Sequence, residues 1–221
     1  MENGKTDNNG SYFAYADFGD TSNNNDAIIE AFSATLTVPS APAHPYDALD
    51  ITIGIGLQAY NNTSLVAVYL VWDTTSMLWY ASLGYRHDNE QSIRGSGLDT
   101  RPGHEIDVRI ALHHREKYKY DVSFLIDNNR ELNETIEMSC ALNQAVVNLG
   151  TNTDNYRYLP QDERVRIRNI SVELPMTGGI PNPTTEIDWK FDTIGILTPS
   201  RRNGVIVNNS IAAGEIDFYL R

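Results

Sequence analysis

Between Leu49 and Tyr85 apolar and polar residues alternate in three consecutive runs, LDITIGIGLQAY, SLVAVYLVWD and MLWYASLGY, separated by the short breaks NNT and TTS. A period of two marks strands that bury one face, because successive side chains leave a strand on opposite sides. The stretch therefore predicts three successive strands. In the first, Ile51, Ile53, Ile55 and Leu57 form one row, while Thr52, Gly54, Gly56 and Gln58 form the other. The apolar row suits a sandwich core. The second row is nearly bare at Gly54 and Gly56, which predicts that something approaches the backbone closely there.

The same alternation continues on both sides. YFAYADFGD (12–20) predicts a first, edge strand, and AIIEAFSATLTVP (27–39) predicts another, ended by PSAPAHPYD. Residues 1–11 are polar and predicted loose at the chain end. RHDNEQSIRGSGLDTRPGH (86–104) reads as a long polar loop, the kind of segment that carries function on a rigid β scaffold. EIDVRIALHH (105–114) and YKYDVSFLID (118–127) predict a hairpin around REK. ELNETIEMSC (131–140), QAVVNLG (144–150), RVRIRNISVEL (164–174), TEIDWKFDTIGIL (185–197) and GEIDFYLR (214–221) complete the set. No window sustains a 3.6-residue period, so helix is minor. About eleven short strands at this spacing predict an all-β sandwich or jelly roll. The break at 175–184 is too short for a linker, so residues 1–221 read as one domain.

Composition narrows the partners. A net charge of −12 over 221 residues, with no basic cluster, excludes nucleic acid, whose phosphates must be neutralised by Lys and Arg. No 18-residue apolar run predicts a membrane span. The single cysteine, Cys140, forbids an intrachain disulfide and reads as a buried, inert thiol. Glycosylation sequons nevertheless begin at Asn9, Asn61, Asn62, Asn133, Asn169 and Asn208, which predicts a secreted glycoprotein. Met1 before the polar ENGKTDNNGS then reads as a start placed where a leader was trimmed.

Few reactive constellations emerge. The five histidines have no zinc spacing, and no metal ligand set is assigned, although a calcium held by Asp17, Asp20 or Asp88 stays open. Glu-Ile-Asp occurs at Glu105/Asp107, Glu186/Asp188 and Glu215/Asp217, placing two carboxylates on one strand face each time. This resembles the ExDxE core of jelly-roll glucanases, but Arg109, Lys190 and Tyr219 replace its third acid. Outward polar positions on strands explain these pairs better. There is no G-x-S-x-G elbow, and GSG (95–97) lacks the rest of a phosphate loop. What stands out is aromatic: Tyr12, Tyr69, Trp72, Trp79, Tyr80, Tyr85 and Tyr118. Those near Gly54 and Gly56, with Gln58, Arg86 and His87 at the rim, predict an apolar pocket with few polar anchors for a flat unsaturated molecule or a sugar ring.

The order TVP (37–39), IGIG (53–56), WYASLGY (79–85), RPGHEIDV (101–108) and SCALNQAVVN (139–148) resembles the fungal concanavalin A-like jelly rolls, of which glutamic peptidases are one branch. That resemblance implies a β-sandwich of two antiparallel sheets. It places the peptidases' glutamate near Gln144-Ala145 and their glutamine near Val68-Tyr69-Leu70; neither residue is retained in place, which implies no peptidase activity. In overall character the chain also resembles the hetero-Diels–Alderases of tropolone sesquiterpenoid biosynthesis, which join a quinone methide to a humulene-type alkene. This second resemblance implies a cofactor-free enzyme acting on apolar small molecules and leaves a homodimer open. Tyr69, Trp72, Trp79, Tyr80 and Tyr85 would wall its pocket over Gly54 and Gly56, with Gln58, Arg86 or His87 donating to substrate. A glycan-binding lectin and a polysaccharide hydrolase or lyase are the alternative readings of the same fold.

Overall fold

A computed structural model describes residues 10–18, 29–46, 51–59, 64–87, 90–95, 100–116, 119–137, 141–151, 159–175, 185–194 and 204–220. The described residues form fourteen strands and no helix. They are β1 (Gly10–Asp17), β2 (Ala31–Thr37), β3 (Thr52–Gln58), β4 (Ser64–Asp73), β5 (Leu78–His87), β6 (Glu90–Gly95) and β7 (Glu105–Glu116). The chain continues with β8 (Lys119–Ile126), β9 (Asn129–Glu137), β10 (Gln144–Thr151), β11 (Arg164–Glu173), β12 (Lys190–Ile194), β13 (Gly204–Asn208) and β14 (Gly214–Tyr219).

Two seven-stranded sheets result. The front sheet runs β12-β1-β10-β3-β4-β5-β6 and the back sheet β13-β14-β11-β2-β7-β8-β9. All ladders between these strands are antiparallel. Consecutive strands β3, β4 and β5 form a meander at the heart of the front sheet, as the alternation predicts. Their inner row is fully buried: Ile53, Ile55 and Leu57 meet Phe32, Leu36, Ile110 and Phe124 of the back sheet in one core. Burial of these rows supplies most of the stabilisation, at roughly 25 cal/mol per Å² of apolar surface.

The sequence pattern falls short where strands lie at sheet edges. The expected 86–104 loop contains the end of β5 and the edge strand β6, and the turn-rich stretch before Gly214 contains the edge strand β13. An edge strand pairs on one side only and need not bury alternate residues, so periodicity misses it. The turn between β8 and β9 obeys local chemistry. Asp127 and Asn128 take positive φ values of 48° and 62°, the left-handed pair that a two-residue hairpin requires.

Candidate functional site

Strand parity sorts the predicted site residues onto two faces. Directly paired residues of neighbouring strands lie on the same face. Trp72 pairs with Trp79 and Ser64 with His87, in the parity class of core residues Val66, Val68 and Leu70. Trp72 and Trp79 are accordingly buried, in edge-to-face contact at 5.5 Å. Their indole N–H groups donate to the carbonyl oxygens of Pro45 at 3.0 Å and Ser40 at 3.4 Å. Tyr85 packs against the same core. His87 Nδ1 shares a hydrogen bond with the buried Ser64 hydroxyl at 2.8 Å. Gly54, Gly56, Gln58, Tyr69, Tyr80 and Arg86 belong to the opposite, outer face. No single pocket gathers both groups, because the sheet itself stands between them.

The glycine floor is also not bare. A Cβ on Gly54 would run into the Val68 carbonyl oxygen and lie 2.7 Å from Tyr69 Cδ1. One on Gly56 would lie 2.9 Å from Leu65 Cδ1. The close approach expected at both glycines is made by the chain's own side chains, Tyr69 and Leu65. This corrects the expectation of an aromatic-walled hollow over Gly54 and Gly56.

What the outer face does offer is a trough one row wide. In register, Val146, Gly56, Ala67 and Gly84 lie side by side across β10, β3, β4 and β5. The row on one side is Asn148, Gly54, Tyr69 and Ser82; on the other it is Gln144, Gln58, Leu65 and Arg86. Rows two residues apart on a strand are separated by about 6.6 Å. The side chains of the middle row are short, and Val146, Gly56 and Ala67 are buried between their longer neighbours. Tyr15 continues it on β1, with the Lys190 ammonium 5.9 Å from the centre of its ring.

The Gln144 row is tied together by side-chain hydrogen bonds. Lys190 Nζ donates to Asp17 Oδ2 at 3.2 Å, Gln144 Nε2 donates to Asp17 Oδ1 at 2.7 Å, and Gln58 Nε2 donates to Gln144 Oε1. Gln144 is only 5% exposed, so these bonds fix both amides in orientation. Tyr69 is half-buried, and desolvation pushes its hydroxyl pKa up to about 12, with the nearby Arg86 charge pulling weakly the other way. It stays a neutral phenol throughout the ordinary pH range.

The sequence pattern does not single out Tyr15, Ala67 or Gly84, and it brings in Asp17 only as a calcium candidate and Gln144 only as the position near the peptidases' glutamate. Alternation in QAVVNLG could place Gln144 on an outer face, but only the β10–β3 pairing brings it beside Gln58. The carboxylate pairs lie elsewhere. Glu105 and Asp107 share the outer face of the back sheet, where Arg168 pairs with Glu105 and Thr35 donates to Asp107 at 2.6 Å. Asp217 is buried beside Arg164 at 2.5 Å, and Asn209 donates to Glu186 at 3.3 Å. No group of three or more potential metal ligands (His, Cys, Asp, Glu) occurs among the described residues. Asp20, Asp88, Tyr118, Cys140, Asn9, Asn61 and Asn62 lie outside the described residues. Asn133 is on β9, while Asn169 and Asn208 are exposed.

No protein-family model and no curated protein matches the sequence. Among solved structures, a scytalido-glutamic peptidase bound to a transition state analog inhibitor is similar over 97% of this chain and 98% of its own, at 11% identity and a TM-score of 0.54. A Bacillus licheniformis beta-glucanase is similar over 88% of this chain and 67% of its own, at 9% identity and a TM-score of 0.41. Xenopus laevis galectin-Ib covers 61% of this chain with 90% of its own, at 11% identity and a TM-score of 0.37. At such identities the likeness is one of fold. The chain folds as an all-β, concanavalin A-like jelly-roll sandwich of two antiparallel sheets.

Proposed function

We propose that the front-sheet trough binds an oxygen-bearing ring compound without covalent attachment and acts by orienting it. The observation that carries this reading is the row Val146, Gly56, Ala67 and Gly84, set between Tyr69 and the hydrogen-bonded amides of Gln58 and Gln144. A mostly apolar floor with a few fixed polar groups along one side is the usual make-up of a small-molecule site. The amide row supplies neutral donors and acceptors but no strong acid or base. Asp17, the carboxylate at its end, is engaged by Lys190 and Gln144.

The reaction class this arrangement suits is a cycloaddition, in the form of the hetero-Diels–Alder joining of a quinone methide to a humulene-type alkene. Such a step needs two apolar partners held in a near-attack arrangement, and orientation alone can lower its barrier by several kcal/mol (about 7–11 in favourable intramolecular cases). A donor from the Gln58 or Arg86 side would stabilise charge growing on the dienone oxygen. Trp72 and Trp79 have no part in it, since they belong to the core.

Ala67→Phe tests the reading by filling the trough. Ala67 is 3% exposed, so the variant costs about 1–3 kcal/mol of stability, and turnover of the quinone methide with the alkene, measured below its unfolding transition, should fall about a hundredfold. A filled variant that keeps full turnover overturns the site. Wild-type protein that catalyses nothing, yet shows saccharide binding abolished by Ala67→Phe, moves the trough from cycloaddition to glycan recognition.

A further inference from the structure

The outer face of the back sheet holds a second concavity, far from the trough in the fold because both layers of the sandwich intervene. It encloses about 310 Å³, at the small end of the range for ligand sites. Ser33 and Thr35 of β2, Asp107 and Arg109 of β7, Asn128 of the β8–β9 turn and Asn169 of β11 contribute its polar side chains, and Leu125 of β8 an apolar patch.

Three of these groups are locked to one another. Asn169 Nδ2 donates to Thr35 Oγ1 at 3.1 Å, and Thr35 Oγ1 donates to Asp107 Oδ1 at 2.6 Å. The chain of bonds fixes each rotamer while leaving Asn169 Oδ1 and Asp107 Oδ2 as spare acceptors. Asp107 is held from behind as well, through its own backbone N–H donating to Asp127 Oδ1 at 3.0 Å. Arg109 is engaged in a two-point bridge to Glu173, at 2.5 and 2.7 Å, so its charge is already balanced. Preformed side chains reduce the ordering cost of binding.

The backbone is bent to make this possible. Asn169 has φ 51°, a left-handed conformation uncommon outside glycine, and both ladders of β11 shift register around it. The extra residue of this bulge places Asn169 on the outer face directly after the outward Arg168, while Ile170 returns to the core. Bulges of this kind re-aim a side chain at functional positions.

We infer that this concavity is a binding site for one neutral pyranose ring. The fixed charges leave a single uncompensated carboxylate, which disfavours an anion. Amides, a hydroxyl and a carboxylate supply both donors and acceptors, matching a ring whose hydroxyls do both, and Leu125 offers a small face for its C–H groups. The ring has two sources: a free saccharide, or the first sugar of a glycan on Asn169, which opens the sequon Asn169-Ile170-Ser171.

Unglycosylated protein from a bacterial host is titrated with N-acetylglucosamine, mannose, glucose and galactose while backbone amide signals are followed by NMR. In parallel, the Asn169 peptide of protein secreted from a eukaryotic host is weighed. A free-saccharide site gives shifts confined to residues around Thr35, Asp107 and Asn128, weakened about tenfold or more by Asp107→Ala and by Asn128→Ala. Ala67→Phe leaves those shifts untouched, which separates this site from the trough. A self-glycan site gives an occupied Asn169 whose melting temperature drops when the last sugar is removed, with no such drop in Asp107→Ala. No local shift with any of the four sugars, together with a bare Asn169 or an occupied one whose removal costs nothing, overturns the inference.

Discussion

The outward faces of the two sheets are built by the same alternation and end up chemically opposite. On the back sheet the outer rows are long and charged: Arg168 meets Glu105, Arg109 meets Glu173, and Arg164 meets the buried Asp217. On the front sheet the central rows are short, with Gly54, Gly56 and Ala67 buried, and the polar groups are amides bonded edge to edge. Exposed ion pairs keep a face solvated at little energetic gain. Small residues in register leave a low strip that a ligand, or a neighbouring ring, can occupy. A site on a sheet is written in rows across strands, so a run of residues along one strand reveals little of it.

The sharpest way to break that contrast is to attack the layer between the faces. Trp79→Ala removes a core side chain only 1% exposed, and it should cost about 3–5 kcal/mol in urea unfolding. A loss under about 1 kcal/mol would mean that Trp79 is not a core residue and that the parity assignment fails. Next in size is Gly54→Val, whose side chain must displace the Val68 carbonyl and Tyr69; overpacking of this kind costs about 1–3 kcal/mol. Unchanged stability would show that Tyr69 does not lie over Gly54.

Tyr69 makes the front face respond to alkaline pH. Its folded pKa of about 12 lies above the ordinary 10.0, so the neutral form is favoured in the folded state. The corresponding stability is fully present below pH 10 and is lost as pH rises toward 12, about 3 kcal/mol at most. Tyr69→Phe should flatten that slope in unfolding measured between pH 9 and 12, and a variant with the wild-type slope would sink the assignment. The smallest effect belongs to the back sheet. The Arg109 hydrogen bond lowers the Glu173 pKa, so its contribution is present above the ordinary carboxylate value and is lost as pH falls through the lowered one. Glu173→Gln should cost about 0.2–1 kcal/mol at neutral pH, with the difference from wild type fading in acid and in high salt.

The all-β class, the β3–β4–β5 meander and the inner row from Ile51 to Leu57 are legible in the chain's alternation, because period-two burial is a local property of one strand. The same rule also placed Gly54, Gly56, Gln58 and Tyr69 on candidate surfaces. Yet alternation assigns a residue to one of two faces without saying which residues of other strands share it. Trp72 and Tyr69 are three residues apart on β4 and belong to opposite sides of a sheet. Gln58 and Gln144 are 86 positions apart and donate one to the other. Only long-range strand pairing, with its register, put the tryptophans in the core, brought the two amides together and let a one-residue bulge swing Asn169 toward Thr35.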